Sequence, residues 1–109
     1  MRKIESITEF EQALTTNEPV LLDFYADWCG PCQSLLPLLD ELSNEYKGQV
    51  SFIKVDVDQF QELARQFQVR SIPALFYMKN GQVVERTQGL LTKSVLREKL
   101  DHLRAALAE

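Results

Sequence analysis

Cysteine and histidine are nearly absent from this sequence: its 109 residues include two cysteines and one histidine. Two cysteines cannot form a stabilising framework, least of all Cys29 and Cys32, because a bridge closing so short a loop removes little entropy from the unfolded chain. In a reducing cytosol a lone close pair points to catalysis or metal binding rather than to structure. Positive charge in excess is also missing. The net charge of −4 argues against a general nucleic-acid binder, which needs a basic face to displace phosphate counterions. No apolar run approaches the length of a membrane span. The opening residues Met1-Arg2-Lys3-Ile4-Glu5-Ser6 bring in acid at once, without the apolar stretch of a secretory signal. The expectation is a cytoplasmic chain with no membrane partner. Linkers, repeats and low-complexity stretches are lacking too, so a single domain over 1–109 is expected. At this length one core without staples is feasible, and a hydrophobic content of 45% is ordinary for a globular protein.

Helical and strand patterns alternate along the chain. A short strand is expected around Lys3 to Glu5. Ser6 with Glu9 reads as a capping box, followed by Ile7, Phe10, Ala13 and Leu14 on one helical face. Val20 to Ala26 reads as a strand whose apolar residues point both ways, as in a central strand covered on both faces. Gly30 to Tyr46 has a near-helical apolar period through Leu35, Leu38, Leu39 and Leu42, with a kink expected at Pro37 and Gly48 as terminator. Val50 to Val57 is a second buried strand. Asp58 is placed to cap a helix carrying Leu63, Ala64 and Phe67. Ala74 to Lys79 and Gln82 to Gln88 flank Asn80-Gly81, a type I′ hairpin signal. Thr92 can cap a last helix with Leu96, Leu100, Leu103 and Leu107 on its buried stripe. This order predicts an α/β fold: a central mixed sheet of four to five strands flanked by about four helices. The cysteines then fall at the C-terminal edge of a strand, where open α/β sheets place their sites.

A thiol must be a thiolate to attack a disulfide. Cys29 is predicted at the N-terminus of the helix that begins at Gly30, where unpaired N–H groups and the helix dipole stabilise negative charge. Cys32, one turn on, is expected to be more buried, at a spacing that lets its sulfur reach that of Cys29. The asymmetry makes Cys29 the attacking and Cys32 the resolving thiol. Gly30 and Pro31 add no charge between them, and Pro31 adds no N–H; this points to a reductant rather than an oxidant. Pro31 also suits a first helical turn. Two other readings stand beside this one. The pair could be half a zinc site, although no further cysteine exists and His102, the only histidine, falls off the apolar stripe of its helix. The cysteines could also be inert in a packed turn, which leaves Trp28, Gly30 and Pro31 around them unexplained.

The run Leu21-Leu22-Asp23-Phe24-Tyr25-Ala26-Asp27-Trp28-Cys29-Gly30-Pro31-Cys32 resembles the active-site segment of the thioredoxin family. Ser71-Ile72-Pro73-Ala74, Lys79-Asn80-Gly81 and Gln88-Gly89-Leu90 fall where that family has its later landmarks. The resemblance covers nearly the whole chain. It implies the thioredoxin fold, a redox-active Cys29–Cys32 disulfide, no bound cofactor or metal, and a monomer. Electrons would come indirectly from NADPH through thioredoxin reductase, and the other partners would be disulfide-containing proteins. A carboxylate at Asp23 on a buried strand should have a raised pKa. From the sequence alone it could equally be satisfied by backbone donors or an ion pair; the resemblance makes it the group that takes the proton from Cys32. Lys54 resembles the family's lysine that modulates that carboxylate, against a plain solvated strand-end lysine. Ile72-Pro73 resembles the family's cis-proline turn, where the Ile72 backbone pairs with substrate and Pro73 keeps metals and bulky groups off the sulfurs. The sequence alone would make it a trans proline opening an edge strand. Gly89 is expected to let the substrate chain approach, and Trp28 to shield the edge of the site, with core packing as its alternative.

The chain also departs from the family pattern. Ala74 stands where Thr is frequent, Gln33 where a basic residue often follows the second cysteine, Gln88 where many relatives have a small apolar residue, and Tyr25 where tryptophan is commoner. These bear on partner choice more than on sulfur chemistry. Two rival functions are a disulfide oxidase or isomerase, which Gly30-Pro31 and the missing leader oppose, and a thioredoxin-like binding subunit with a redox-independent role.

Overall fold

The computed structural model describes the backbone of residues 1–107 and the side chains of residues 1–105. Leu107, expected on the buried stripe of the last helix, lies outside the described side chains. Strand β2 (Val20–Tyr25) is buried at every position, and the sheet is built around it. Strand β3 (Ser51–Asp56) pairs with it in parallel, Asp23 opposite Lys54, and β4 (Ala74–Lys79) pairs antiparallel on the other side, Asp23 opposite Leu75. With β1 (Arg2–Lys3) and β5 (Gln82–Gln88) at the edges the order is β1-β3-β2-β4-β5, the mixed sheet expected, with five strands.

Because side chains alternate along a strand, β2 feeds two cores. Val20, Leu22 and Phe24 pack with Phe10 and Ala13 of α1 (Ile7–Leu14) and Leu63 of α3 (Gln61–Gln66). Leu21 packs on the opposite face with Leu35, Leu39 and Leu42 of α2 (Gly30–Glu45) and with Leu96, Leu100 and Leu103 of α4 (Lys93–Leu107). Asp23 and Tyr25 follow Leu21 onto that second face.

Local chemistry accounts for most element ends. Ser6 Oγ accepts from the Glu9 N–H, and Thr92 Oγ1 from the Val95 N–H, so both expected caps form. Asn80 and Gly81 have φ of 53° and 76°, the pair of positive angles that a type I′ turn requires. Two expectations need correction. The first strand is Arg2–Lys3, not Lys3 to Glu5: the Glu9 side chain accepts from the Glu5 N–H and Ser6 caps α1, so the chain leaves the sheet after Ile4. Asp58 does not cap α3. Its carboxylate accepts from the Trp28 indole, and Asp56 Oδ1 accepts from the N–H groups of Asp58 and Gln59, so Phe60 is the N-cap of α3 and no side chain caps the helix. Pro37 lies inside α2 on its exposed side, and the helix runs through it from Gly30 to Glu45.

Leu39 has no exposed surface and holds α2, and therefore the cysteine segment, against the sheet. Leu39→Ala is expected to destabilise the protein by about 2–5 kcal/mol, read as a lower urea midpoint at unchanged m-value. An unchanged midpoint would contradict this packing.

Candidate active site

Strand β2 ends at Tyr25 and α2 begins at Gly30, which leaves a short turn to carry Trp28 and Cys29. Cys29 is the N-cap of α2: its backbone is extended, and its Sγ accepts from the Cys32 N–H at 3.2 Å. A helix N-terminus has orphan donors that favour a partner with negative charge, and here one of them is aimed at the sulfur. The two sulfurs are bonded as a disulfide, with Cα atoms 5.2 Å apart. Cys32 has no exposed surface and Cys29 has 5%. The order of burial is the one expected, yet even the outer sulfur shows only an edge. Access is from the Gly30 and Pro31 side, where both residues are exposed.

The loop before β4 closes the other flank. Ile72–Pro73 is a cis peptide bond, and the Ile72 carbonyl oxygen lies 3.8 Å from Cys29 Sγ. Pro73 is buried and Ile72 half-buried. Gly89 donates its N–H to the Pro73 carbonyl at 2.8 Å, with φ of 86°. A Cβ on Gly89 would meet no atom of the chain within 4 Å. The positive φ therefore favours glycine here, and the space above it is open. Trp28 is 71% exposed and donates its indole N–H to Asp58 at 2.8 Å, so it stands at the rim rather than in the core. Gln33 donates to the Ala26 carbonyl, and Ser71 to Gln88, so two of the residues that depart from the family pattern brace loops around the sulfurs.

Asp23 is 1% exposed, and neither carboxyl oxygen has a hydrogen-bond partner among the described residues. The backbone donors and ion pair that would have made it structural are not found there. Burial pushes its carboxyl from an ordinary 3.8 up to about 7, while the Lys54 ammonium pulls the other way. Lys54 is half-buried and sits over the Tyr25 ring, 5.2 Å from its centroid, so it is not a plain solvated lysine. His102 is exposed on α4, and among the described residues no cluster of three or more His, Cys, Asp or Glu side chains is placed to hold a metal.

A groove of about 200 Å³ is lined by Trp28 and Ile72 together with Val57, Ala64, Val69 and Arg70. The sequence alone did not single out Val57, Ala64, Val69 or Arg70 as part of a site. Val57 had been placed in a strand and Ala64 in a helix core, and no motif marks Val69 or Arg70. The arrangement as a whole offers a thiol on a helix N-terminus, a second thiol within bonding reach, an accessible rim with an apolar groove, and a buried carboxyl that titrates near neutrality.

The family model described as Thioredoxin matches residues 2–102. A protein named Thioredoxin from Mycoplasmoides gallisepticum is 39% identical over 100 residues, spanning 92% of this chain and 99% of that one. Another of that name from Haemophilus influenzae is 48% identical over 89 residues, spanning 81% of this chain and 83% of its own. Among solved structures, the chain resembles one from work on the thiol resolving mechanism of yeast mitochondrial 1-Cys peroxiredoxin via glutathione/thioredoxin systems. The two share 30% identity and a TM-score of 0.82, with 94% of each chain covered.

The buried carboxyl has a measurable consequence. Because its folded-state pKa is raised, Asp23 holds its proton more tightly in the native than in the unfolded chain. Its contribution to stability is full below pH 3.8 and is lost as pH rises through about 7. Over that window stability should fall with a slope approaching about 1.4 kcal/mol per pH unit from this group. Urea unfolding across pH is expected to show the decline in the parent protein and to lose it in Asp23→Asn. The same decline in both would contradict the assignment.

Proposed function

The chain belongs to the thioredoxin family and is a thiol–disulfide oxidoreductase that reduces protein disulfides, and we propose that Cys29 carries out the attack and Cys32 the resolution. The observation that carries this assignment is the Cys32 N–H aimed at Cys29 Sγ at the start of α2. The same N–H that Cys29 Sγ caps at the helix start stabilises a thiolate when the pair is reduced. The Cys29 thiolate attacks one sulfur of the substrate disulfide, that S–S bond breaks, and the first substrate thiolate leaves and takes a proton from water. The Cys32 thiol then gives its proton to the Asp23 carboxylate, and its sulfur attacks Cys29 Sγ. The second substrate sulfur leaves, and Cys29–Cys32 is the product disulfide. Two electrons have passed to the substrate. A carboxyl that titrates near neutrality is suited to this proton step, and Lys54 modulates it.

The remaining roles follow from position. The Ile72 backbone, beside Cys29 Sγ, pairs with an extended substrate segment; Pro73 excludes metals and bulky groups from the sulfurs; the open space over Gly89 admits the substrate backbone. Trp28, Gly30 and Pro31 form the contact rim, and the uncharged Gly30-Pro31 pair favours reduction as the direction. The redox-active disulfide is the only redox group needed. Its electrons come from NADPH through thioredoxin reductase, a separate flavoprotein, and its substrates are exposed disulfides of cytoplasmic proteins. The chain works as a monomer and as a single domain over 1–109, in the cytoplasm. Among the described residues no helix is long and apolar enough to cross a membrane.

NADPH-coupled insulin reduction with thioredoxin reductase is expected for the parent protein and to be abolished in Cys29→Ser. Cys32→Ser is expected to accumulate a mixed disulfide with substrate on Cys29, visible on a non-reducing gel. Trapping by Cys29→Ser instead, or a parent-like rate without Cys29, would overturn the assignment of roles.

A further inference from the structure

Lys54 is held in an unusual way for a half-buried lysine. It forms none of the ion pairs found among the described residues. Its ammonium lies over the face of Tyr25, 5.2 Å from the ring centroid, inside the range of about 6 Å where a ring quadrupole attracts a cation. The ring is a firm support, since Tyr25 is 2% exposed and packs with Ala26, Cys29 and Cys32. Lys54 is also the register partner of Asp23 across β2 and β3, and Asp23 and Tyr25 share one face of β2. Ring, ammonium and carboxyl therefore stand at one corner of the sheet beside the cysteines.

The mode of attachment matters. A carboxylate partner would hold the lysine but cancel much of its charge. A ring face holds the ammonium and leaves its positive charge free to act on a second group. We propose that Tyr25 is a positioning residue: its ring face fixes the Lys54 ammonium where it stabilises the Asp23 carboxylate, and so sets the proton acceptor for Cys32. The inference rests on the proton role given to Asp23 above. It also gives Tyr25 a task that any aromatic ring at this position can perform, including the tryptophan commoner in the family.

Other groups around the corner compete for the lysine. Asp56 on β3, Asp27 in the turn before α2, Asp23 itself and Glu5 after β1 surround Tyr25 with negative charge. Together with burial, which is the larger cause, they push its hydroxyl up to about 12. Tyr77 on β4 is occupied with Thr87, the core residues of α2 on this face below Cys32 are leucines down to Tyr46, and those of α4 are leucines. The alternative to the ring is thus a diffuse hold by Asp56, Asp27 and Glu5.

The test is the titration of Asp23, followed by its side-chain carboxyl 13C shift in the oxidised protein without substrate. Lys54→Met is expected to raise the Asp23 midpoint. Tyr25→Leu should raise it by at least half as much, Tyr25→Phe and Tyr25→Trp should leave it near the parent value, and Tyr25→Leu added to Lys54→Met should raise it no further. An unchanged midpoint in Tyr25→Leu, or an equal shift with and without Lys54, would overturn the proposal in favour of the acidic groups. Should Tyr25→Leu fail to fold, the parent protein decides. Upfield ring-current shifts on the Lys54 ε-methylene protons are expected, and random-coil values would overturn the placement. An Asp23→Asn protein that resolved mixed disulfides at the parent rate would refute the proton role of Asp23 and leave the coupling of ring, lysine and carboxyl standing.

Discussion

One hydrogen bond ties this fold to its chemistry: the Cys32 N–H to Cys29 Sγ. Helix N-caps are normally oxygen side chains, because the first turn has donors with no partner inside the helix. Here a sulfur takes that place, so the group that satisfies the helix end is also the group that must carry negative charge to react. For the bond to form, α2 has to start one residue after Cys29, which in turn requires β2 to end at Tyr25 and α2 to lie fixed on the sheet. The leucine stripe of α2 and the fully buried β2 provide that fixation. The second thiol follows from the same geometry, since residue 32 is one helical turn on and faces inward.

The same burial that fixes α2 creates a cost one strand away. Asp23 sits in a face of the sheet where both its oxygens lack partners among the described residues, and its charged form is disfavoured there. A purely structural sheet would place a leucine at this position. The native state gives up stability as pH rises, and on the proposed function the same carboxyl, raised to about 7, is the group that takes the Cys32 proton. Lys54 and Tyr25 make sense as parts of that arrangement. The ammonium limits how far burial raises the carboxyl, and the ring keeps the ammonium close without neutralising it.

Much of this was legible in the residues, and the reasons differ by element. Ser6, Thr92 and Asn80-Gly81 act through bonds or backbone angles within a few residues, so local sequence was enough. The double-faced burial of β2 showed in an apolar run broken only by Asp23, and the place of Cys29 at a helix start with Cys32 one turn on showed in their spacing. Asp58 misled because it has two possible uses, capping α3 or bonding Trp28, and the choice depends on a residue thirty positions away. The groove of Val57, Ala64, Val69 and Arg70 gathers residues from separate segments, each of which reads as ordinary packing on its own. The cis bond at Ile72–Pro73 was legible only through the family resemblance, since an X–Pro dipeptide by itself favours trans. The hold of Tyr25 on Lys54 needed the register of β2 against β3, which no single segment reveals.

The central claim is that the start of α2 makes Cys29, and not Cys32, the reactive thiolate. The most direct measurement is the rate of iodoacetamide alkylation at each cysteine of the reduced protein as a function of pH, with sites resolved by mass spectrometry. Cys29 is expected to react first across the range, with a midpoint below the ordinary thiol value of about 8.5, and Cys32 to stay protected. Alkylation of Cys32 at an equal or greater rate, or a Cys29 midpoint at or above that value, would contradict the account.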